Sequence, residues 1–148
     1  MDGVRASAGY LRYWAPDSLE EVGRSVVDLQ DVLIDVAAAV ELYRNARVDF
    51  IPGLALWLDA ETPENSLSIG VADDGWAVIH TDAEFDQRVT RGAATATAGC
   101  RLVKFDESLE LPSACFITND VAAELIGRWF EDPELQDAAV LSSDLFST

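Results

Sequence analysis

The chain has 148 residues, 49% of them hydrophobic, so a single domain over residues 1–148 can bury a full core without disulfides or metal. Twenty-seven acids against ten bases leave a net charge of −17, a field that rejects nucleic acid and anionic membranes and attracts basic surfaces. Acidity of this degree also serves solubility alone.

Gly9-Tyr10-Leu11-Arg12-Tyr13-Trp14 reads as a strand, on the β propensity of its aromatic residues. Ala15-Pro16-Asp17-Ser18 breaks it, and Ser18-Leu19-Glu20-Glu21 has the form of a capping box opening a short helical turn that Gly23 ends or kinks. The main helix is expected from about Val26 to Asn45, because Val26, Leu29, Leu33, Val36, Val40 and Tyr43 recur at three- and four-residue steps. Asp28, Asp31 and Asp35 line a different face, which is expected to be solvated. Leu54 to Leu58 is a strand, and Asp59 to Asn65 is a polar loop without the spacing of a calcium-binding loop.

The stretch from Leu67 to Thr81 organises the rest: two runs rich in Ile and Val flank Asp73-Asp74-Gly75, a β-hairpin signature. Two registers compete. With Asp74-Gly75 as a two-residue turn, Val71 pairs with Val78, and Trp76 and His80 share the core face. With a three-residue turn and a glycine bulge, Ile69 pairs with Ile79 and His80 faces outward. The second is preferred because it places Gly75 at a positive φ.

After the hairpin, Asp82, Glu84 and Asp86 share one face if their segment is extended. Arg88-Val89-Thr90-Arg91-Gly92 is a basic island suited to pairing with nearby acids. Ala93 to Gly99 reads as a loop, Cys100 to Phe105 as a strand, and Leu109 to Pro112 as a further extended piece. A last helix runs from Asp120 to Phe130, capped by Thr118 or Asn119, with Val121, Leu125, Trp129 and Phe130 inward; Asp132-Pro133 stops it. Ala138 to Leu141 adds a short final strand. The sum is an α+β fold: a mostly antiparallel sheet of five or six strands, with the long helix and the C-terminal helix packed on one face.

Catalytic signatures are thin. His80 is the only histidine, and no Ser or Cys stands beside it in a recognisable motif. Cys100 and Cys115 have no CxxC or helix N-terminal context and are too few for a disulfide framework or a zinc cage. No glycine-rich phosphate loop is present. No catalytic residue, metal or cofactor is therefore expected. The N-terminus lacks a secretory signal and no apolar run reaches the ~20 residues of a membrane span, so a cytoplasmic protein is expected.

From about Leu29 to Phe130 the chain resembles the immunity-protein-one (Imm-one) family, found beside bacterial polymorphic toxins that are often nucleic-acid deaminases. The resemblance lies in a helix and an aliphatic strand leading to Leu67-Ser68-Ile69-Gly70-Val71, a turn, and Gly75-Trp76-Ala77-Val78-Ile79. A small-residue segment ending in Gly92, a strand from Leu102 to Phe105, Leu111-Pro112 and a closing helix from Val121 to Phe130 follow in the same order. After that helix the chain departs: Glu131-Asp132-Pro133-Glu134-Leu135 stands where the family has a Gly-x-x-Pro turn and a closing Trp. The resemblance implies an inhibitor that binds its toxin and has no catalysis of its own.

Charge and resemblance converge on a partner with a basic cleft, with no direct binding of nucleic acid or membrane. The expected contacts are Asp73, Asp74 and Trp76 at the hairpin tip and Asp82, Glu84 and Asp86 beyond it, with Glu107 and Glu110 secondary. Trp76 reads equally well as a core residue. Two other functions fit the same letters: a small-ligand or catalytic domain using His80 with neighbouring carboxylates, and an acidic adaptor for a basic host protein.

Overall fold

A computed structural model describes residues 9–16, 20–58, 65–92, 99–105, 108–135 and 140–142. Within them run β1 (Gly9–Trp14), β2 (Glu21–Val26), α1 (Leu29–Ala46), β3 (Ile51–Trp57), β4 (Ser66–Ala72), β5 (Gly75–Thr81) and β6 (Gln87–Thr90). Then follow β7 (Cys100–Lys104), β8 (Ser108–Pro112), a 3-10 turn (Ser113–Cys115), α2 (Asn119–Glu131) and β9 (Leu141–Ser142). The main sheet has the order β2-β1-β3-β4-β5-β6-β9 and is antiparallel throughout; β7 joins the start of β3 in parallel and carries β8 on its other edge.

This is the expected α+β fold, with nine strands among the described residues in place of five or six. The extra strands are polar. Glu21, Val22, Gly23, Arg24 and Ser25 are all exposed in β2, an edge strand with no apolar alternation to announce it. Ser18 and Leu19 of the capping pattern lie outside the described residues; from Glu21 the main chain pairs with β1 as a strand, and Gly23 lies within it. Leu29 then begins α1, with Asp28 as the cap: its carboxylate accepts from the Asp31 amide at 3.1 Å. Val26, expected as the first turn of the helix, is a fully buried strand residue.

Both helices lie on one face of the sheet. Val32, Val36 and Ala39 of α1 and Ala122, Leu125, Ile126, Trp129 and Phe130 of α2 pack with Leu54, Leu56, Leu67, Ile69, Val71 and Val78. Val121, expected inward, is exposed, and Ala122 and Ile126 take the core positions instead. Asp35 is buried beside Arg24 at 2.7 Å, so the acidic stripe of α1 is not wholly solvated. The opposite face of the sheet is partly covered by the β7–β8 ribbon and residues 113–117, where Val103, Leu111, Cys115 and Phe116 meet Ala77, Ile79 and Val89.

The central hairpin forms in neither expected register. Val71 pairs with Trp76 and Ala72 with Gly75, so Asp73-Asp74 is the two-residue turn. Gly75 does not have a positive φ; it is required because a Cβ there would lie 2.6 Å from the Ile117 carbonyl oxygen. The backbones of Trp76 and Ile117 bond each other in both directions, at 2.9 and 2.8 Å. This distant segment fixes the register. It places Trp76, Val78 and His80 opposite Val71, Ile69 and Leu67, on the helix-covered face.

Candidate partner-binding surface

The acidic residues expected to act together occupy the two ends of β5, about 20 Å apart for a strand of this length. At one end, Asp73 is 94% exposed on its side chain, with Arg44 no nearer than 3.9 Å. Asp74 is bound by Arg101 in a two-pronged pair at 2.7 and 3.0 Å. Those hydrogen bonds hold the Asp74 carboxyl below its ordinary pKa. The Arg101 guanidinium also lies 4.9 Å from the centre of the Phe116 ring. Asp74 is thus tied to the fold, whereas Asp73 projects.

At the other end, residues 82–86 are not extended. The Asp82 carboxylate turns back and accepts from the amides of Glu84 and Asp86, both at 2.9 Å. The main chain closes the same loop through Phe85 N to Asp82 O and Asp82 N to Asp86 O. Asp82, Glu84 and Asp86 therefore do not present one face: Asp82 shapes the turn, while Glu84 and Asp86 are exposed. The turn holds Phe85 at φ 65°, with the residue 61% exposed, a contact candidate missed in the sequence. A lone phenyl between two acids was the only signal.

Trp76 is 7% exposed and packs in the core, so it is not presented as an anchor to a partner. Glu110 is exposed on β8, opposite Leu102 of β7. Glu107 lies outside the described residues.

Beneath the acidic turn is a polar network. His80 is fully buried; Nε2 meets the Pro133 carbonyl at 2.8 Å and Nδ1 meets Arg88 Nη2 at 2.9 Å. Arg88 also donates to the carbonyls of Glu134 and Leu135. The basic island was expected to pair with carboxylates; Arg88 instead serves an imidazole and two main-chain oxygens. Burial pushes the His80 pKa down, and the Arg88 charge adds to that, against the Pro133 hydrogen bond and the fields of Asp82 and Asp132. With both nitrogens occupied and no exposed surface, the ring has no access to a substrate. Burial likewise pushes the Cys115 thiol up to about 11, far from a thiolate at neutral pH.

Among the described residues no three His, Cys, Asp or Glu side chains are grouped to hold a metal, and no helix is long and apolar enough to cross a membrane. No protein-family model matches the chain, and no curated protein sequence matches it.

Proposed function

We propose that this chain is an immunity-type inhibitor acting in the cytoplasm. It neutralises a cognate bacterial polymorphic toxin, a nucleic-acid deaminase or nuclease, by binding its basic cleft and performs no chemistry of its own. The observation that carries this reading is where the cations are used. Arg12 pairs with Glu21, Arg24 with Asp31 and Asp35, and Arg101 with Asp74, while Arg88 is directed at carbonyls and His80. These four arginines are thus engaged within the fold, and the chain's net charge of −17 stands with Asp73, Glu84 and Asp86 exposed at the ends of one strand. Carboxylates on rigid turns can replace phosphates in a nucleic-acid cleft, and opposite potentials speed encounter and set register. The ordered likeness to the Imm-one family supports the same reading.

The test is association with the product of the neighbouring gene. A complex whose on-rate falls at least about tenfold from low to physiological salt is expected. An on-rate indifferent to salt removes the electrostatic basis of the reading, and absence of a complex removes the reading itself.

A further inference from the structure

The sheet face opposite the helices is only partly covered. Cross-strand pairing sets its side chains in rows: Gly53, Gly70 and Ala77 in one, Arg12, Ala55, Ser68 and Ile79 in the next. Beyond them Tyr10 stands beside Trp57, and Ser66 beside Thr81. The β7–β8 ribbon explains the glycine row: a Cβ on Gly53 would meet the Phe105 ring at 2.5 Å, and one on Gly70 would meet Val103 at 3.2 Å. That explanation stops at the ribbon's edge. Ala55, Ser66 and Ser68 are also small, yet they floor an open groove of about 380 Å³. On the helix face the same two strands carry Leu54, Leu56, Leu67 and Ile69, all fully buried.

The groove has aromatic and apolar walls. Trp14 and Trp57 stand on the β1–β3 side, Phe105 and Leu109 on the ribbon side. Among the described residues the single cation in its lining, Arg12, lies 5.7 Å from the Trp14 ring centre, 4.7 Å from that of Trp57, and 3.2 Å from the Glu21 carboxylate. Its charge is therefore met within the fold. The remaining polar groups in its lining among the described residues are neutral: the hydroxyls of Ser66, Ser68 and Ser108 and the amide of Gln87.

We propose that this groove binds a flat, uncharged heteroaromatic ring of purine or indole size. A floor of methyl and hydroxymethyl groups leaves a flat surface against which a ring can lie. Tryptophan and phenylalanine flank it, and serine hydroxyls can bond ring heteroatoms in either direction. Its volume falls in the range of small-molecule sites, ~300–1,000 Å³. The molecule's net charge of −17 disfavours an anionic ligand, and Arg12 is already matched by Glu21. The site does not rest on the partner reading.

The test is a nitrogen-15 NMR titration of the full chain with indole, adenosine and adenosine monophosphate at low salt. Saturable shifts at Ala55, Trp57, Ser66 and Ser68 are expected with the two neutral probes, with the monophosphate at least about threefold weaker than adenosine. Ser68→Leu fills the groove and abolishes the shifts; Ser68→Ala keeps the space, so indole binding is retained and adenosine binding weakens. Ala55→Val is the second filling variant, should Ser68→Leu lose its fold. The proposal is overturned if neither neutral probe gives saturable shifts at these residues, if the monophosphate binds as tightly as adenosine, or if a folded filling variant binds like the parent. Shifts confined to Phe85 or to the 82–86 turn overturn it as well.

Discussion

Arg88 donates from Nη2 to Nδ1 of His80 at 2.9 Å, and this one contact fixes the state of the imidazole. A guanidinium has no acceptor, so Nδ1 must carry the lone pair, and Nε2 must carry the proton that is donated to the Pro133 carbonyl. His80 is neutral, and its ring and Arg88 together fasten residues 133–135 to the sheet.

Acid weakens that fastening. The folded pKa of His80 lies below its ordinary value of 6.5, so the unfolded chain takes up the proton first as pH falls. Its contribution to stability is complete above about pH 6.5 and declines below it until the folded pKa is reached. Asp82 and Asp132, which favour protonation, soften the effect, and Arg88 opposes them. Urea midpoints measured between pH 8 and pH 5 should fall on the acid side, and His80→Gln should flatten the slope of that window. Equal slopes in parent and variant would refute the assignment.

Gly75→Ala tests what sets the hairpin register. The added methyl meets a backbone oxygen 2.6 Å away, which cannot swing aside like a side chain. A loss of about 1–3 kcal/mol is expected, read from chemical denaturation. If Gly75 were instead a positive-φ turn residue, Gly75→Asn would be the mildest replacement; here it should cost at least as much as alanine.

Trp129 is fully buried, and its indole N–H donates to the Asn65 carbonyl at 2.6 Å. Trp129→Phe removes that bond and leaves a void, and should cost about 2–3 kcal/mol in urea unfolding. Since Asn65 immediately precedes β4, its amide and that of Ser66 should also lose hydrogen-exchange protection.

The acidic turn separates shape from charge. Asp82→Ala removes the acceptor of two amides and should cost about 1 kcal/mol of stability. Glu84→Gln with Asp86→Asn should leave the unfolding midpoint unchanged and slow association with the neighbouring gene product by about threefold or more at low salt. Phe85→Ala should act on the dissociation rate, as an aromatic contact does. Stopped-flow association and dissociation rates separate the two effects.

Local chemistry was legible in the letters, and long-range chemistry was not. The hairpin, the six-residue first strand and the stop of the last helix at Asp132-Pro133 follow from neighbours along the chain. The register depended on Ile117, forty-two residues from Gly75, and no nearby residue signals that approach. Asp35 looked solvated because its partner, Arg24, comes from an edge strand whose polar sequence reads as a helix cap. The exposure of the expected contact residues divides in the same way. Glu84 and Asp86, chosen for their charge, are exposed, but Trp76 went to the core once the register shifted, and Phe85 surfaced only with the turn geometry.

Main-chain bonds between Trp76 and Ile117 clamp the central strands from outside the hairpin itself. The letters at the solvent ends of those strands are thereby relieved of any duty in alignment. Asp73, Glu84 or Asp86 can therefore be replaced one at a time while the aliphatic side chains beneath keep their packing.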